Sequence, residues 1–237
     1  MHSSGMPSAS IQYAADLDNV KEVTLQGTAD LSFWEAVLRK ERFFPYQEAD
    51  KAVLLLSATD AKWKSFKFRE FVISVGVCFE EHGTHLDGYY LPHAFNSSRL
   101  LAFSERVFFQ TPYFPGDIQL ESRCPVSIKL QDKTDVLLRA AMSVSDTPTT
   151  VEYQEWQGPI FLPNNSGKFF AVLAGETDHY PFSPQTDRFE LKPSPRYEIF
   201  QQLIESNFVG TTWSLRNNAR HAKSKTYKRD AELRFPE

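Results

Sequence analysis

Ser104-Glu105-Arg106-Val107-Phe108-Phe109-Gln110-Thr111-Pro112-Tyr113-Phe114-Pro115-Gly116-Asp117-Ile118 is the stretch on which the fold turns. Arg106, Val107, Phe108 and Phe109 suit a pleated, half-buried surface, so a strand is expected up to the first proline. Pro112 and Pro115 each hold φ near about −65° and withdraw a backbone donor, which stops a ladder there. Pro115-Gly116-Asp117 has the composition of a turn. Tyr113 and Phe114 are thereby expected at a strand rim, where function often resides. The plainer alternative is a packed turn with aromatic lids.

Outward from this stretch the chain reads as short strands between turn signals. N-terminal to it, Val20 to Gly27 reads as a strand. Asp30 to Lys40 reads as a helix, with Leu31, Trp34, Val37 and Leu38 on one face and capping-box spacing between Ser32 and Glu35. Ala52 to Ser57 is a compact apolar strand. Phe71 to Glu80 is apolar on both faces and belongs in the middle of a sheet. Gly88 to Ala94 is a further strand, and Asn96 to Phe103 a helical turn.

C-terminal to it, Ile118 to Leu130 and Asp135 to Val144 form a hairpin pattern around residues 131–134. Val151 to Leu162 and Lys168 to Ala174 pair across Pro163-Asn164-Asn165-Ser166-Gly167. Phe189 to Leu191 is a short strand, and Arg196 to Phe208 the second clear helix. Many short strands with two helices predict a β-rich single domain, closed or nearly closed.

Composition narrows the function classes. The 237 residues are 41% hydrophobic and include 20 Phe, enough for a sizeable core. A formal charge of −4 gives no whole-chain attraction to nucleic acid or acidic membranes. The two cysteines, Cys78 and Cys124, make no disulfide framework, so a reducing, cytoplasmic setting is expected. No apolar run approaches the roughly 20 residues of a membrane span, and residues 1–10 lack the apolar segment of a secretory signal. No Gly-x-Gly-x-x-Gly or P-loop is present, so no nucleotide is expected.

Three constellations could carry chemistry. Phe68-Arg69-Glu70-Phe71 places a carboxylate at the start of an apolar strand, which is unfavourable unless it is paired or solvated. Glu70 is either an acid, base or polar anchor in a cavity, or one half of an ion pair with Arg69 or Arg106. Arg106 is suited to bidentate carboxylate binding, of a substrate or of Glu70 itself. His179, in Glu176-Thr177-Asp178-His179-Tyr180-Pro181-Phe182, is of a residue type suited to acid–base work, though one histidine near an aspartate is more often held in a structural hydrogen bond than catalytic. His82, His85 and His93 match no standard metal-ligand spacing, so no metal is expected. The basic run from Arg216 to Arg229 reads as a solvated, partly mobile end rather than an anion or RNA patch.

The order of these pieces resembles the acetoacetate decarboxylase superfamily, from about Val20 to about Leu191, and in particular relatives without its Schiff-base lysine. In that family a segment like Phe68-Arg69-Glu70-Phe71 supplies an active-site glutamate, a role the resemblance implies for Glu70. Ser104-Glu105-Arg106 matches a Gly-Arg-Glu segment of the family. Pro112 matches the proline that precedes the imine-forming lysine, but Tyr113 stands where that lysine would be. Thr111-Pro112-Tyr113 and Asp178-His179-Tyr180-Pro181-Phe182 resemble segments of the lysine-free relatives.

A phenol forms no imine with a ketone, although it can donate a hydrogen bond to an oxyanion. Imine chemistry is therefore disfavoured unless another lysine, such as Lys168, reaches the same cavity. The resemblance implies a β-rich α+β fold: a single-domain antiparallel β-barrel with few helices and an internal pocket. The barrel is expected over residues 16–210, after a disordered segment 1–15 and before a basic segment 211–237. Glu70, Tyr113 and His179 are the expected catalytic residues, and Arg106, Phe68 and Phe108 the expected substrate contacts. The function implied is an enzyme on a carbonyl- or carboxylate-bearing small molecule, of lyase, hydratase or cyclase type, using acid–base catalysis without a cofactor. The alternatives are a non-catalytic small-molecule binding barrel and a protein-interaction module. A homo-oligomer is expected, with no nucleic-acid or membrane partner.

Overall fold

A computed structural model describes residues 11–81, 83, 85–133, 135–143 and 147–229 of the chain. His82, Thr134, Val144 and most of the expected N-terminal segment lie outside the described residues.

Strand β1 (Tyr13–Asp30) leads into helix α1 (Leu31–Arg39). The short ladders β2 (Phe44–Pro45) and β3 (Gln47–Glu48) precede the long hairpin of β4 (Lys51–Trp63) and β5 (Phe66–Cys78). Next come β6 (Gly88–Asn96), helix α2 (Arg99–Phe108), and the short strands β7 (Tyr113–Pro115) and β8 (Asp117–Glu121). β9 (Ser127–Asp132) and β10 (Asp135–Ala141) form one hairpin, and β11 (Thr150–Phe161) and β12 (Lys168–Pro181) another. β13 (Arg188–Leu191), helix α3 (Glu198–Glu205) and β14 (Val209–Ser224) complete the described chain.

The fold is mostly β with three α-helices among the described residues. The main sheet runs β2-β5-β4-β1-β14-β12-β11-β6-β7, and β6 also pairs with β5. The hydrogen-bonded path from β5 through β4, β1, β14, β12, β11 and β6 thus returns to β5. The second sheet has the order β13-β10-β9-β8.

Alternation along β1 decides what each face of the main sheet meets. Val23 and Leu25 are fully buried in the principal apolar cluster, with Trp213 and Leu215 of β14, Ile128 and Leu130 of β9, and Phe200 and Leu203 of α3. Glu22 and Thr24 take the other face, and the Thr24 hydroxyl lies 2.8 Å from that of Ser57 on β4. One face is therefore an apolar core, and the other carries polar groups around the site described below.

Three local expectations are corrected. Residues 106–108 are the last turn of α2, not a strand. The Ser98 hydroxyl accepts from the Leu101 N–H at the N-terminus of the helix, and Gln110, at φ 56°, ends it in the left-handed region. The β-propensity of Val107, Phe108 and Phe109 is overridden because Leu101, Ser104, Glu105 and Phe108 recur at helical spacing on one face. In α1, Asp30 occupies the N-cap without a side-chain cap bond, so the Ser32–Glu35 spacing is not used as a capping box.

The third correction concerns the C-terminal end. Residues 209–224 are strand β14, paired on one side with β1 and on the other with β12, so a boundary at 210 cuts through the sheet. β1 likewise starts at Tyr13, inside the segment expected to be disordered. The charge count of residues 211–237 hid a period-two pattern, in which Trp213 and Leu215 alternate with Ser214 and Arg216. The basic residues meet acids from other elements: Arg216 meets Glu22, Arg220 meets Asp16 and Lys223 meets Glu105.

Candidate functional site

A cavity of about 440 Å³ is walled by β1, β4, β5, β6, β7, β11, β12, β14 and the inner face of α2. Glu70 reaches it from β5. Strand β5 pairs with β6 so that Glu70 lies opposite Asn96, and β7 runs parallel to β6 with Tyr113 opposite Ala94. These registers bring three polar side chains together.

The Asn96 amide donates to Glu70 Oε1 at 2.9 Å. Its orientation is fixed because Asn96 Oδ1 accepts the Ser98 N–H at 2.8 Å. The Tyr113 hydroxyl donates to Glu70 Oε2 at 3.2 Å. Burial and then the neighbouring Glu105 charge push the Glu70 carboxyl up to about 7, against the opposing effects of Lys223, Tyr113 and Asn96. Burial and the same two carboxylates raise the Tyr113 phenol well above its ordinary range. Glu70 is therefore poised to exchange a proton near neutrality, with Tyr113 as a neutral hydrogen-bonding partner.

Lys223 of β14 enters the same cavity. Its ammonium is ion-paired with Glu105, whose carboxylate also accepts from the Thr111 hydroxyl at 2.7 Å. The Lys223 nitrogen lies over the rings of Phe169, Phe109 and Tyr113, at 4.7, 5.0 and 5.3 Å from their centroids. A carboxylate and three ring faces are partners suited to a cation.

Two residues back along β14, alternation directs His221 toward the same space. His221 Nε2 is 2.8 Å from Glu22 Oε2, and the Arg216 guanidinium donates to both Glu22 oxygens at 3.0 and 3.1 Å. Arg216 also donates to Thr177 and Gln154. Burial disfavours the ionised Glu22, but His221, Arg216 and Thr24 outweigh it and bring the carboxyl down to about 2.

Of the residues expected at the site, Glu70, Tyr113, Phe68 and Phe108 line the cavity. Arg106 does not: it is exposed, with its guanidinium 5.4 Å from the centroid of the Phe114 ring. A strand would have put Arg106 and Phe108 on one face. The helix instead groups Glu105 with Leu101 and Phe108, turning Arg106 outward. His179 lies on the cavity face of β12 but beyond the cavity lining. Its Nδ1 is 3.0 Å from the Ser214 hydroxyl and its Nε2 3.5 Å from Glu152. Neither proposed ion pair of Glu70 forms, since Arg69 binds Asp60 and the Ile118 carbonyl.

His93 is packed as an aromatic, stacked on Phe114 at 4.5 Å and held down to about 4 by burial. Among the described residues no group of three His, Cys, Asp or Glu side chains could hold a metal ion. Sequence reasoning missed Asn96, Glu105, His221, Glu22 and Lys223 as one set. The available signal was the two-residue spacing of His221 and Lys223 in a strand.

Comparison with known proteins places this geometry in a fold class. No family model and no curated protein matches the chain. Among solved structures, acetoacetate decarboxylase from Legionella pneumophila subsp. pneumophila str. Philadelphia 1 is 12% identical, with a TM-score of 0.61 over 94% of this chain and 93% of that one. A second structure, from structural studies of acetoacetate decarboxylase, is also 12% identical, with a TM-score of 0.60 over 95% and 93%. The enduracididine biosynthesis enzyme MppR, complexed with the condensation product of pyruvate and imidazole 4-carboxaldehyde, is 9% identical, with a TM-score of 0.52 over 94% and 96%. The chain has the acetoacetate decarboxylase-like fold. No helix among the described residues is long and apolar enough to cross a membrane.

Proposed function

We propose that the closed strand path is a barrel around a reaction cavity, and that the chain is an enzyme acting on a carbonyl-bearing small molecule. The observation that carries this reading is Glu70, a buried carboxyl brought to about 7 while hydrogen-bonded to Tyr113 and Asn96. Such a group can take a proton from the carbon beside a carbonyl and return it elsewhere. When Glu70 is protonated on Oε2 it can donate to the Tyr113 oxygen, which leaves the phenol hydrogen for the substrate oxygen. Lys223 then supplies fixed positive charge where an enolate oxygen develops. This is acid–base chemistry of lyase, hydratase or cyclase type, without a covalent intermediate. The fold shared with a decarboxylase and with MppR supports a carbonyl substrate only by analogy.

One observation favours a second reading. Lys223 brings a primary amine into the cavity, so the absence of a lysine after Pro112 does not by itself disfavour an imine with a ketone. The ion pair with Glu105 already engages this nitrogen, which supports the first reading. Borohydride added with a 2-oxo acid distinguishes the two by intact mass. The expected result is no covalent adduct; an adduct lost in Lys223→Met establishes the imine. Turnover is sought with a panel of 2-oxo and 3-oxo acids. Tyr113→Phe is expected to lower any rate found by roughly 10²-fold, with the melting temperature nearly unchanged. Saturable binding without turnover of any member would make the chain a binding barrel.

A further inference from the structure

We infer that the ligand of this cavity is amphiphilic: a carbonyl-bearing carboxylate on a linear alkyl or aryl body, larger than a three- or four-carbon oxo acid. The inference rests on the site assigned above and deepens it by naming the ligand class. Glu70, Tyr113, Glu105 and Lys223 converge in one polar cluster of the space, linked through the Tyr113–Glu70 hydrogen bond and the Lys223–Glu105 ion pair. The remaining wall is mostly apolar, with Trp63 and Phe68 from the β4–β5 hairpin, Leu101 and Phe108 from α2, and Ile160 and Leu173 from the β11–β12 hairpin, interrupted by the small hydroxyls of Ser57, Thr59, Ser74 and Ser104 and by the Glu22–His221 pair.

Size points the same way. About 440 Å³ falls among pockets that enclose drug-sized ligands, roughly 300–1,000 Å³, and is generous for a short oxo acid. A short acid would leave the aromatic wall wetted, whereas an alkyl or aryl body would displace that water. Phe108 remains 73% exposed although it lines the cavity, so an apolar ring stands at the rim where such a body would enter. Lys223 has N–H donors beyond the one it gives Glu105, enough to receive a carboxylate head.

The test is calorimetric binding of straight-chain 2-oxo acids from pyruvate to 2-oxodecanoate. The dissociation constant is expected to fall about threefold to fourfold per added methylene, until the cavity is full. Leu173→Trp, which fills the apolar wall, should abolish that gain while pyruvate binding changes little. If this variant does not fold, Ile160→Phe serves the same purpose. A dissociation constant independent of chain length, or a gain that survives both fillings, overturns the inference. Measuring the series also in Glu70→Gln separates this claim from the enzymatic one. A chain-length gain without turnover removes only the enzyme reading, and turnover without a chain-length gain removes only the amphiphile.

Discussion

Glu22→Gln is expected to destabilise the fold by about 3–5 kcal/mol, since removing one partner of a buried ion pair leaves the others uncompensated. For a chain of this length that corresponds to a fall in melting temperature on the order of 10 °C. The Glu22 side chain is only 5% exposed and the Arg216 side chain 12%. Glutamine keeps the shape and one acceptor. It loses the charge facing Arg216 and the second oxygen that His221 and Arg216 share.

The pH dependence follows from the sign of the shift. Glu22 is lowered from an ordinary 4.5 to about 2, so its contribution is present above about 4.5 and lost as pH falls toward about 2. Denaturant unfolding at pH 7 reads the loss directly. Repeating it between pH 5 and 2 should show an acid limb in the wild type that is diminished in the variant. A change below about 1 kcal/mol would mean that the network is not paired as described.

The second large effect is on chemistry. Glu70→Gln is expected to lower turnover by about 10²- to 10⁴-fold, the usual range for loss of a positioned acid–base group. The side-chain amide fits the same space: its oxygen can accept from Asn96 and its nitrogen can donate to the Tyr113 oxygen. It has no proton to exchange. Stability should move the opposite way from that of Glu22→Gln. The folded Glu70 carboxyl is raised, so its contribution is fully present below about 4.5 and lost as pH rises through about 7. The variant has no such group, so at pH 8 it should be as stable as the wild type or more so. A variant that loses activity only because it melts at a lower temperature would assign Glu70 a structural role.

The apolar strands and the β9–β10 and β11–β12 hairpins could be read from residue patterns, because alternation and turn residues are local signals. Phe71 to Glu80, apolar on both faces, does lie between two neighbours, as β5 pairs with β4 and β6. The pairing of Val151 to Leu162 with Lys168 to Ala174 across Gly167 was equally local. Two kinds of information were not local. The segment around Arg106 has strand-like composition, and only packing of Leu101, Ala102 and Glu105 against the rest of the chain makes it helical. β14 looked like a charged tail because the acids that neutralise it lie far away in sequence, at positions 16, 22 and 105.

The site divided along the same line. Glu70 and Tyr113 were readable as a carboxylate opening an apolar strand and a ring fixed between two prolines. Lys223 was not, since its approach to them depends on β14 pairing between β1 and β12. His179 was readable as an acid–base residue type, but its ring nitrogens face Ser214 and Glu152 rather than the cavity.

Carbon-detected titration of the Glu70 carboxyl in selectively labelled protein tests the central claim most directly. The account predicts a midpoint near 7, moving further upward in Tyr113→Phe because the phenol hydrogen bond favours the ionised form. A midpoint in the ordinary carboxylate range, unmoved by Tyr113→Phe, would contradict it.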